Sequence, residues 1–296
     1  PQLKEASDSL DLLVVVDTMP AEITGYADVV LPECTYLERY DDLRNSGERH
    51  PSLALRMPAF EPRYESRPGW WIARELGNRL GLERYFPWTD YAEVIDWQLK
   101  QVGSSLEEMR RIGVKNFPRR SAKYIAAGQP FAFRTPSGKI ELYSEQLAAQ
   151  GFDPMPEYTR PEKPPEGYFH LNYGRMPAHT FGKTTNNPLL FELAPENTVW
   201  VNPLVAREFG IRNGEYVRLQ NQDGVISNRV RVRVTERVRP DSVFMAHGFG
   251  HRSRRLRLTY GIGADDSDLM TNVKVDPLMG GTGMRANFVT LFREEG

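Results

Sequence analysis

Cysteine is almost missing from this 296-residue chain: Cys34 stands alone. A single thiol excludes an internal disulfide, a Cys-rich zinc site and a complete iron–sulfur cluster site within the chain. It says little about compartment. Long apolar runs are lacking as well, and none reaches the roughly 18 residues of a membrane-spanning helix. Lysine is scarce, with 8 against 30 arginines. The planar guanidinium suits phosphates and carboxylates, so the bias fits anion recognition, although genome composition or a high growth temperature would produce it equally well. No charge sign dominates: 38 basic and 39 acidic residues leave a net charge of -1, which argues against a chain-wide grip on nucleic acid. Neither a Walker loop nor a GxGxxG element is present, and no nucleophile–His–acid spacing stands out. These absences count against a simple nucleotidase or dehydrogenase. The opening residues PQLKEASDSLD hold no basic n-region and no apolar h-region. Their abrupt start before a strong strand reads as a mature piece or fragment.

What is present supports a sizeable core: 40% of residues are hydrophobic and 26% charged. The length fits two domains. Residues 12–16 (LLVVV) read as a fully buried parallel strand with Asp17 at its C-terminal end, the edge where open α/β sheets bind ligands. Residues 27–31 (ADVVL) give a second buried strand, reached through one short helical turn. Helices are expected over 66–80, with Ser66 as N-cap and Gly81 after its end, and over 91–102 and 105–112. The segment 131–144 (FAFRTPSGKIELYS) reads as two short strands around a TPSG turn. Five prolines between 154 and 165 mark a stiff linker and the best domain boundary. Beyond it, 199–201, 216–219, 225–226, 230–234 and 243–245 read as short strands and only 204–210 as helix, which indicates a β-barrel. Trp70, Trp71, Trp88 and Trp97 read as core packing.

Five segments in order then resemble one family. VVVDTMPAEITGYADVVLPECTYLER, FRTPSGKIELYS, YGRMPAHTFGKTTNN, NPLVAREFGIRNGEYVRLQNQDG and TNVKVDPLMGGTGMR are similar to segments of the molybdopterin oxidoreductases of the dimethyl-sulfoxide-reductase type. The wording is most like the polysulfide or thiosulfate reductase catalytic subunits. The resemblance implies molybdenum-bis(molybdopterin guanine dinucleotide) as cofactor. It implies an α/β remnant of the molybdopterin oxidoreductase domain over 1–165, followed by a double-psi β-barrel that binds the dinucleotide over 166–296. Family members are much longer. Their N-terminal part carries an iron–sulfur cluster and the molybdenum ligand, neither of which is recognisable here; Cys34 lies in the wrong context to be that ligand.

The family pattern puts Asp17 at the guanine-binding position, where a carboxylate accepts from both N1–H and the exocyclic amine; the plain alternative is a strand-end turn residue. Thr18 adds a hydroxyl. Arg39 falls where the family often has a Lys near the nucleotide, or else pairs on the surface with Glu38 or Asp41. Tyr173, Gly174, Arg175, His179, Thr180, Phe181, Thr184 and Asn187, with Asn186, form the richest segment. There Arg175 is expected to bind pyrophosphate and His179 to donate to pterin or phosphate. Without the family pattern this is a polar loop. Asn272 is expected at the pterin, and Arg285 at the cofactor's polar groups, where Lys is usual. Gly280, Gly281 and Gly283 allow close backbone approach. The basic run 245–255 reads either as a solvated loop or as a funnel attracting an anionic substrate.

The implied function is reduction of polysulfide or thiosulfate in anaerobic respiration. The implied partners are the N-terminal remainder of the subunit, a ferredoxin-like iron–sulfur subunit, a membrane anchor and a small sulfur anion, and the implied place is the extracytoplasmic or periplasmic face of the membrane. Other substrates such as formate, nitrate, arsenate or tetrathionate remain open. So do a cofactor-free scaffold of a respiratory complex and a free-standing binding module.

Overall fold

The structure, a computed structural model, describes residues 2–47, 50–118, 128, 131, 133–155, 157–158, 160–283 and 286–293. Contacts divide the chain into two compact units, one made of Pro1–Pro32 with Pro161–Gly296 and the other of Glu33–Arg160. Residues 1–32 therefore group with the barrel segment rather than with their neighbours in sequence.

The first 32 residues carry helix α1 (Gln2–Asp8) and two parallel strands, β1 (Val14–Asp17) and β2 (Val29–Pro32), in register Val14↔Val29 to Asp17↔Pro32. A 3-10 turn, Glu22–Gly25, joins them. The parallel pairing agrees with the sequence. Full burial does not: only Val15 is buried, and Val14, Val16, Val29 and Val30 are all 40% or more exposed. A two-stranded sheet has no layers above and below it to cover both faces.

The Glu33–Arg160 unit holds a three-stranded antiparallel sheet in the order β3 (Arg44–Ser46), β4 (Ser52–Ala54), β5 (Val114–Asn116). It also holds helices α2 (Gly69–Arg79), α3 (Tyr91–Lys100), α4 (Leu106–Ile112) and α5 (Glu145–Ala149). Helix α3 starts where Asp90 accepts from Ala92 N at 2.9 Å, and α4 where Ser105 accepts from Glu108 N at 3.1 Å, each relieving an orphan helix donor. Leu55, Ile95, Leu99, Leu106 and Met109 form the core. Ser66 is not the cap of α2. Pro68 occupies that position, and the Ser66 hydroxyl donates to Arg63 O. The two strands expected over 131–144 are not formed among the described residues; the TPSG turn is, with Gly138 N donating to Thr135 O at 3.0 Å. Trp71 and Trp97 are 38% and 50% exposed and Trp70 and Trp88 only half-buried, so none of the four lies in the core. Trp88 and Trp97 instead pack ring on ring at 5.4 Å.

The third stretch closes a six-stranded barrel. Its strands are β6 (Phe169–Gly174), β7 (Thr198–Val201), β8 (Tyr216–Asn221), β9 (Val230–Val234), β10 (Ser242–Ala246) and, after the small hairpin β11 (Lys274–Val275) and β12 (Thr282–Gly283), β13 (Phe288–Arg293). They run in the order β10-β6-β13-β8-β9-β7, with β10/β6 and β7/β9 parallel and the other pairs antiparallel. Strand β9 shows why the sequence chooses a barrel. In VRVRV, Val230 and Val232 point into the core, while Arg231 and Arg233 lie over the Tyr216 and Trp200 rings. Val199, Val217, Leu219, Val243, Met245 and Val289 fill the interior and are fully buried. Two helices flank it, α6 (Pro188–Leu193) and α7 (Pro203–Glu208), each with Pro at its first turn and an Asn cap. The 225–226 strand is only an isolated bridge of Ile226 to Gln220. No helix among the described residues is long and apolar enough to cross a membrane.

Candidate functional site

Strand β1 delivers Asp17 to its C-terminal end. Oδ1 accepts from Thr18 N at 2.8 Å and from Met19 N at 3.4 Å, which fixes the carboxylate at the strand end. Oδ2 faces Lys183 Nζ at 3.7 Å. Thr18 itself is exposed. The ammonium comes from the segment after β6, so the fold brings the strand-end carboxylate to the 173–187 segment.

Tyr173 and Gly174 end β6, and Gly174 O accepts from His247 N at 3.0 Å. The Arg175 guanidinium lies 5.0 Å from the centre of the Phe181 ring, and that ring lies 4.5 Å from His247. Phe181 sits at φ +52, a left-handed conformation rare outside glycine. It is tolerated because Gly248 has no side chain: a Cβ there would fall 2.5 Å from Gly182 N and 2.8 Å from Phe181 O. His247 Nε2 is buried without a hydrogen-bond partner. Burial pushes the His247 imidazole below its ordinary pKa, and the Arg175 charge adds to the shift. A neutral ring with an unspent nitrogen beside a guanidinium is what a site for a polar, anionic group leaves vacant of protein partners.

The remaining residues of the segment hold its shape. His179 is buried, with Nε2 2.8 Å from Ala194 O and Nδ1 3.3 Å from Thr184 Oγ1. Thr184 Oγ1 also accepts from Thr180 N at 2.8 Å. Both ring nitrogens of His179 are thus occupied, and the side chain braces the turn rather than presenting a free donor. Asn187 caps α6 through Leu189 N and Leu190 N, at 3.0 and 3.3 Å. Asn186 accepts from Leu258 N at 3.0 Å.

Asn272 is tied to the end of the barrel. Its N–H donates to Asn287 Oδ1 at 2.9 Å, its carbonyl accepts from Asn287 Nδ2 at 2.8 Å, and its own Nδ2 reaches Ala286 O at 3.3 Å. That leaves its side-chain carbonyl for a ligand. Gly280 takes φ +66 at the tip of the hairpin. Arg285 lies outside the described residues. Arg39 belongs to the Glu33–Arg160 unit, where it pairs with Glu33, with Asp41 at 3.0 Å and with Cys34 O at 3.0 Å. Its partners include Asp41, as the surface reading expects, and Glu33 in place of Glu38, which instead accepts from Thr35 and Arg63 N.

Two residues of the cluster were not foreseen from sequence as site residues, Lys183 and His247. Lys183 has a local signal, a lone cation between Phe181 and the Thr-Thr-Asn-Asn run. His247 falls in the 245–255 run read as a solvated loop or a substrate funnel, and only β10 and β6 lying side by side place it next to Arg175's segment. Among the described residues, no group of three or more His, Cys, Asp or Glu is arranged to hold a metal ion. A strand-end carboxylate, cations at Lys183 and Arg175 and an unspent imidazole nitrogen do suit a nucleotide with a polyanionic arm.

The chain is similar to known proteins along most of its length. Residues 169–288 match the family model described as molydopterin dinucleotide binding domain, and residues 2–79 match that of molybdopterin oxidoreductase. Between them the two cover well over half of the chain. The chain is 36% identical over 287 residues to the thiosulfate reductase molybdopterin-containing subunit PhsA of Salmonella typhimurium, covering 88% of this chain and 37% of that protein. It is 26% identical over 310 residues to dimethyl sulfoxide reductase DmsA of Escherichia coli, covering 94% and 37%. The solved structure of acetylene hydratase from Pelobacter acetylenicus shares the fold, with a TM-score of 0.77 at 21% identity over 98% of this chain and 41% of that one. The chain thus spans less than two fifths of the length of these curated relatives. It belongs to the molybdopterin oxidoreductase family, a family of redox enzymes.

Proposed function

We propose that this chain seats one side of a molybdenum-bis(molybdopterin guanine dinucleotide) cofactor in a reductase of thiosulfate or polysulfide. The observation that carries the cofactor role is the strand-end carboxylate of Asp17, anchored through one oxygen and with its other oxygen facing Lys183. The identity with the thiosulfate reductase subunit supports the substrate class. Relatives named for dimethyl sulfoxide and nitrate reduction match at 26% and 27% identity, so the sulfur anion rests on the higher figure.

In this reading Asp17 accepts from the guanine edge, and Thr18 lines the same end of β1. Arg175 and Lys183 hold phosphate oxygens, and Gly248 lets the Phe181–Gly182 peptide pack close beside His247. Tyr173 and Gly174 form the strand end beneath it. His179, Thr180, Phe181, Thr184 and Asn187 keep the turn in shape, and Asn272 offers a carbonyl to the pterin. Arg39 and Arg285 are assigned to the cofactor by resemblance to the family alone. When bound, the cofactor supplies two-electron transfer at molybdenum; the protein binds and orients it and keeps water from its arm. We read the six-stranded barrel as the double-psi kind, supported by its two parallel strand pairs. We assign the reductase to the extracytoplasmic face of the membrane, with an iron–sulfur subunit and a membrane anchor as partners. The iron–sulfur cluster of the catalytic subunit itself would sit on residues outside this chain.

The test is the molybdenum and guanine nucleotide content of the purified protein. About two guanines per molybdenum is the expected result. Neither molybdenum nor guanine would make the chain a scaffold and remove the site assignments.

A further inference from the structure

Three stretches far apart in sequence meet at one buried histidine. His251 Nδ1 lies 3.0 Å from Glu22 Oε2, in the turn between β1 and β2. On the other side of the ring, Nε2 lies 2.8 Å from Thr185 Oγ1, in the turn after Phe181. The ring is 7% exposed and Thr185 is fully buried. The Thr185 hydroxyl donates to Gly182 O at 3.0 Å, so it is left to accept from the ring. Nδ1, on the other edge of the ring, faces the Glu22 carboxylate.

Glu22 is held further. Arg252 N approaches both of its oxygens, at 3.1 and 3.2 Å, and Tyr26 Oη donates to Oε1 at 3.0 Å. Burial alone would raise the Glu22 pKa, but the bonds from His251, Tyr26 and Arg252 N outweigh it and hold the carboxyl below its usual value. The backbones are close too. A Cβ on Gly25 would sit 2.7 Å from Ser253 Cβ, and one on Gly182 would sit 3.0 Å from the His251 ring. None of Glu22, His251 and Thr185 is a candidate cofactor ligand, yet each lies within a few residues of one: Asp17 and Thr18, His247 and Gly248, Phe181 and Thr184.

We propose that Glu22, His251 and Thr185 are positioning residues, a clasp that sets the Asp17 strand end against the 181–185 turn and so determines how tightly the nucleotide end of the cofactor is held. The clasp rests on the cofactor role proposed above. It explains a polar line that the barrel core has no need of, since polar groups taken from water cost stability unless they are hydrogen-bonded. Its geometry resembles an acid–His–hydroxyl triad, but the hydroxyl is buried and spent on Gly182 O, so the line positions and does not attack.

The test uses the holoenzyme with Glu22→Gln, His251→Asn and, as a core control far from the clasp, Val232→Ala. Two measurements are made on each: backbone hydrogen exchange by segment, and the rate of guanine nucleotide loss per molybdenum in mild denaturant. The removed bonds involve charged groups, so the clasp variants are expected to exchange about tenfold faster at 17–26 and 180–187 together, and to lose nucleotide about tenfold faster. Strands β8 and β13 should stay as in the parent, whereas Val232→Ala should loosen the barrel and leave those two segments unlinked. Faster exchange confined to 250–262, or a clasp variant indistinguishable from Val232→Ala, overturns the clasp. Should His251→Asn fail to fold, Glu22→Gln decides alone. Asp17→Asn separates the two ideas. If it speeds nucleotide loss and the clasp variants do not, the clasp is wrong and the cofactor reading stands. If it changes nothing, the cofactor reading falls, and the exchange measurement still judges the clasp.

Discussion

Replacing Asp17 with asparagine isolates the proposed role of its carboxylate. Oδ1 receives Thr18 N and Met19 N at 2.8 and 3.4 Å, and an amide carbonyl keeps both bonds, so the strand end survives. The ion pair lost with Lys183 is long and involves a lysine side chain that is 67% exposed, so it contributes little stability. What changes is the second oxygen, which becomes an N–H donor. Guanine presents two donors there, N1–H and the exocyclic amine, and one of them now meets a donor. A hydrogen bond to a charged group contributes about 1.5–3 kcal/mol. Affinity for guanosine diphosphate should therefore fall by roughly 10- to 150-fold. Xanthine carries a carbonyl where guanine carries the amine, so the new amide donor finds an acceptor. Asp17→Asn should thus prefer xanthosine diphosphate to guanosine diphosphate, and the parent the reverse. Isothermal titration of both nucleotides into cofactor-free protein at fixed salt measures this. Unchanged guanosine diphosphate affinity, or an equal loss for both nucleotides, would refute the assignment of Asp17 to the guanine edge.

Asn197 is fully buried and bonds to Ala246 O, Ala264 O and Ala264 N at 2.8, 2.9 and 3.0 Å. Asn197→Ala leaves all three backbone groups unpaired and should cost about 3 kcal/mol or more, seen as a lower urea midpoint at unchanged slope; a midpoint equal to the parent's would sink the idea. Asp266 is pushed up to about 7, first by burial and then by Asp265. The native state therefore keeps a proton that the unfolded chain releases near pH 4, and stability falls as pH rises from about 4 to 7. Asp266→Asn should raise the melting temperature at pH 8, by up to about 4 kcal/mol in stability, and hardly at all at pH 4; equal gains at both would contradict the account. Gly248 sits at φ +93, with Gly182 N 2.5 Å from where a Cβ would lie. Gly248→Ala should cost about 2–4 kcal/mol and displace the Phe181 turn, so melting identical to the parent's would mean that the close approach is not there.

How much of the fold is legible in the sequence depends on how local each signal is. Strand β9 matches the expected 230–234 because valine and arginine alternate with the strand period and both faces are decided by it. Helices α3 and α4 begin within a residue of expectation because each has a local cap. Strands β6 and β13 went unnoticed. FHLNYG carries His, Asn and Tyr among its apolar residues, and only pairing with β10 and β13 shows that Phe169 and Leu171 face inward. The Ser66 cap failed because Pro68 takes the cap position of α2, a competition invisible in spacing. The same division runs through the site. Asp17 could be placed at a strand end from its neighbours alone. Lys183 shows locally as a lone cation, but its pairing with Asp17, and the place of His247 beside Phe181, depend on long-range closure that no motif encodes.

The barrel's amides show how so short-stranded a fold can hold a shaped site. Its strands are four to six residues long, so much of this unit's backbone lies in loops, and buried loop backbone must find partners outside the ladders. Buried asparagines supply them. Asn197 ties Ala246, at the end of β10, to Ala264. Asn202 caps α7 while donating to Val238 O at 2.8 Å. Asn221 accepts from Asp223 N and Val225 N while donating to Leu269 O at 3.1 Å. One planar amide offers both a donor and an acceptor edge, so each serves two loops at once. The loops that carry His247 and Asn272 are consequently fixed by side chains rooted in the barrel, before any ligand arrives. Such a scaffold spends little of a ligand's binding energy on ordering itself. That is the property required of a protein whose task is to orient a large cofactor.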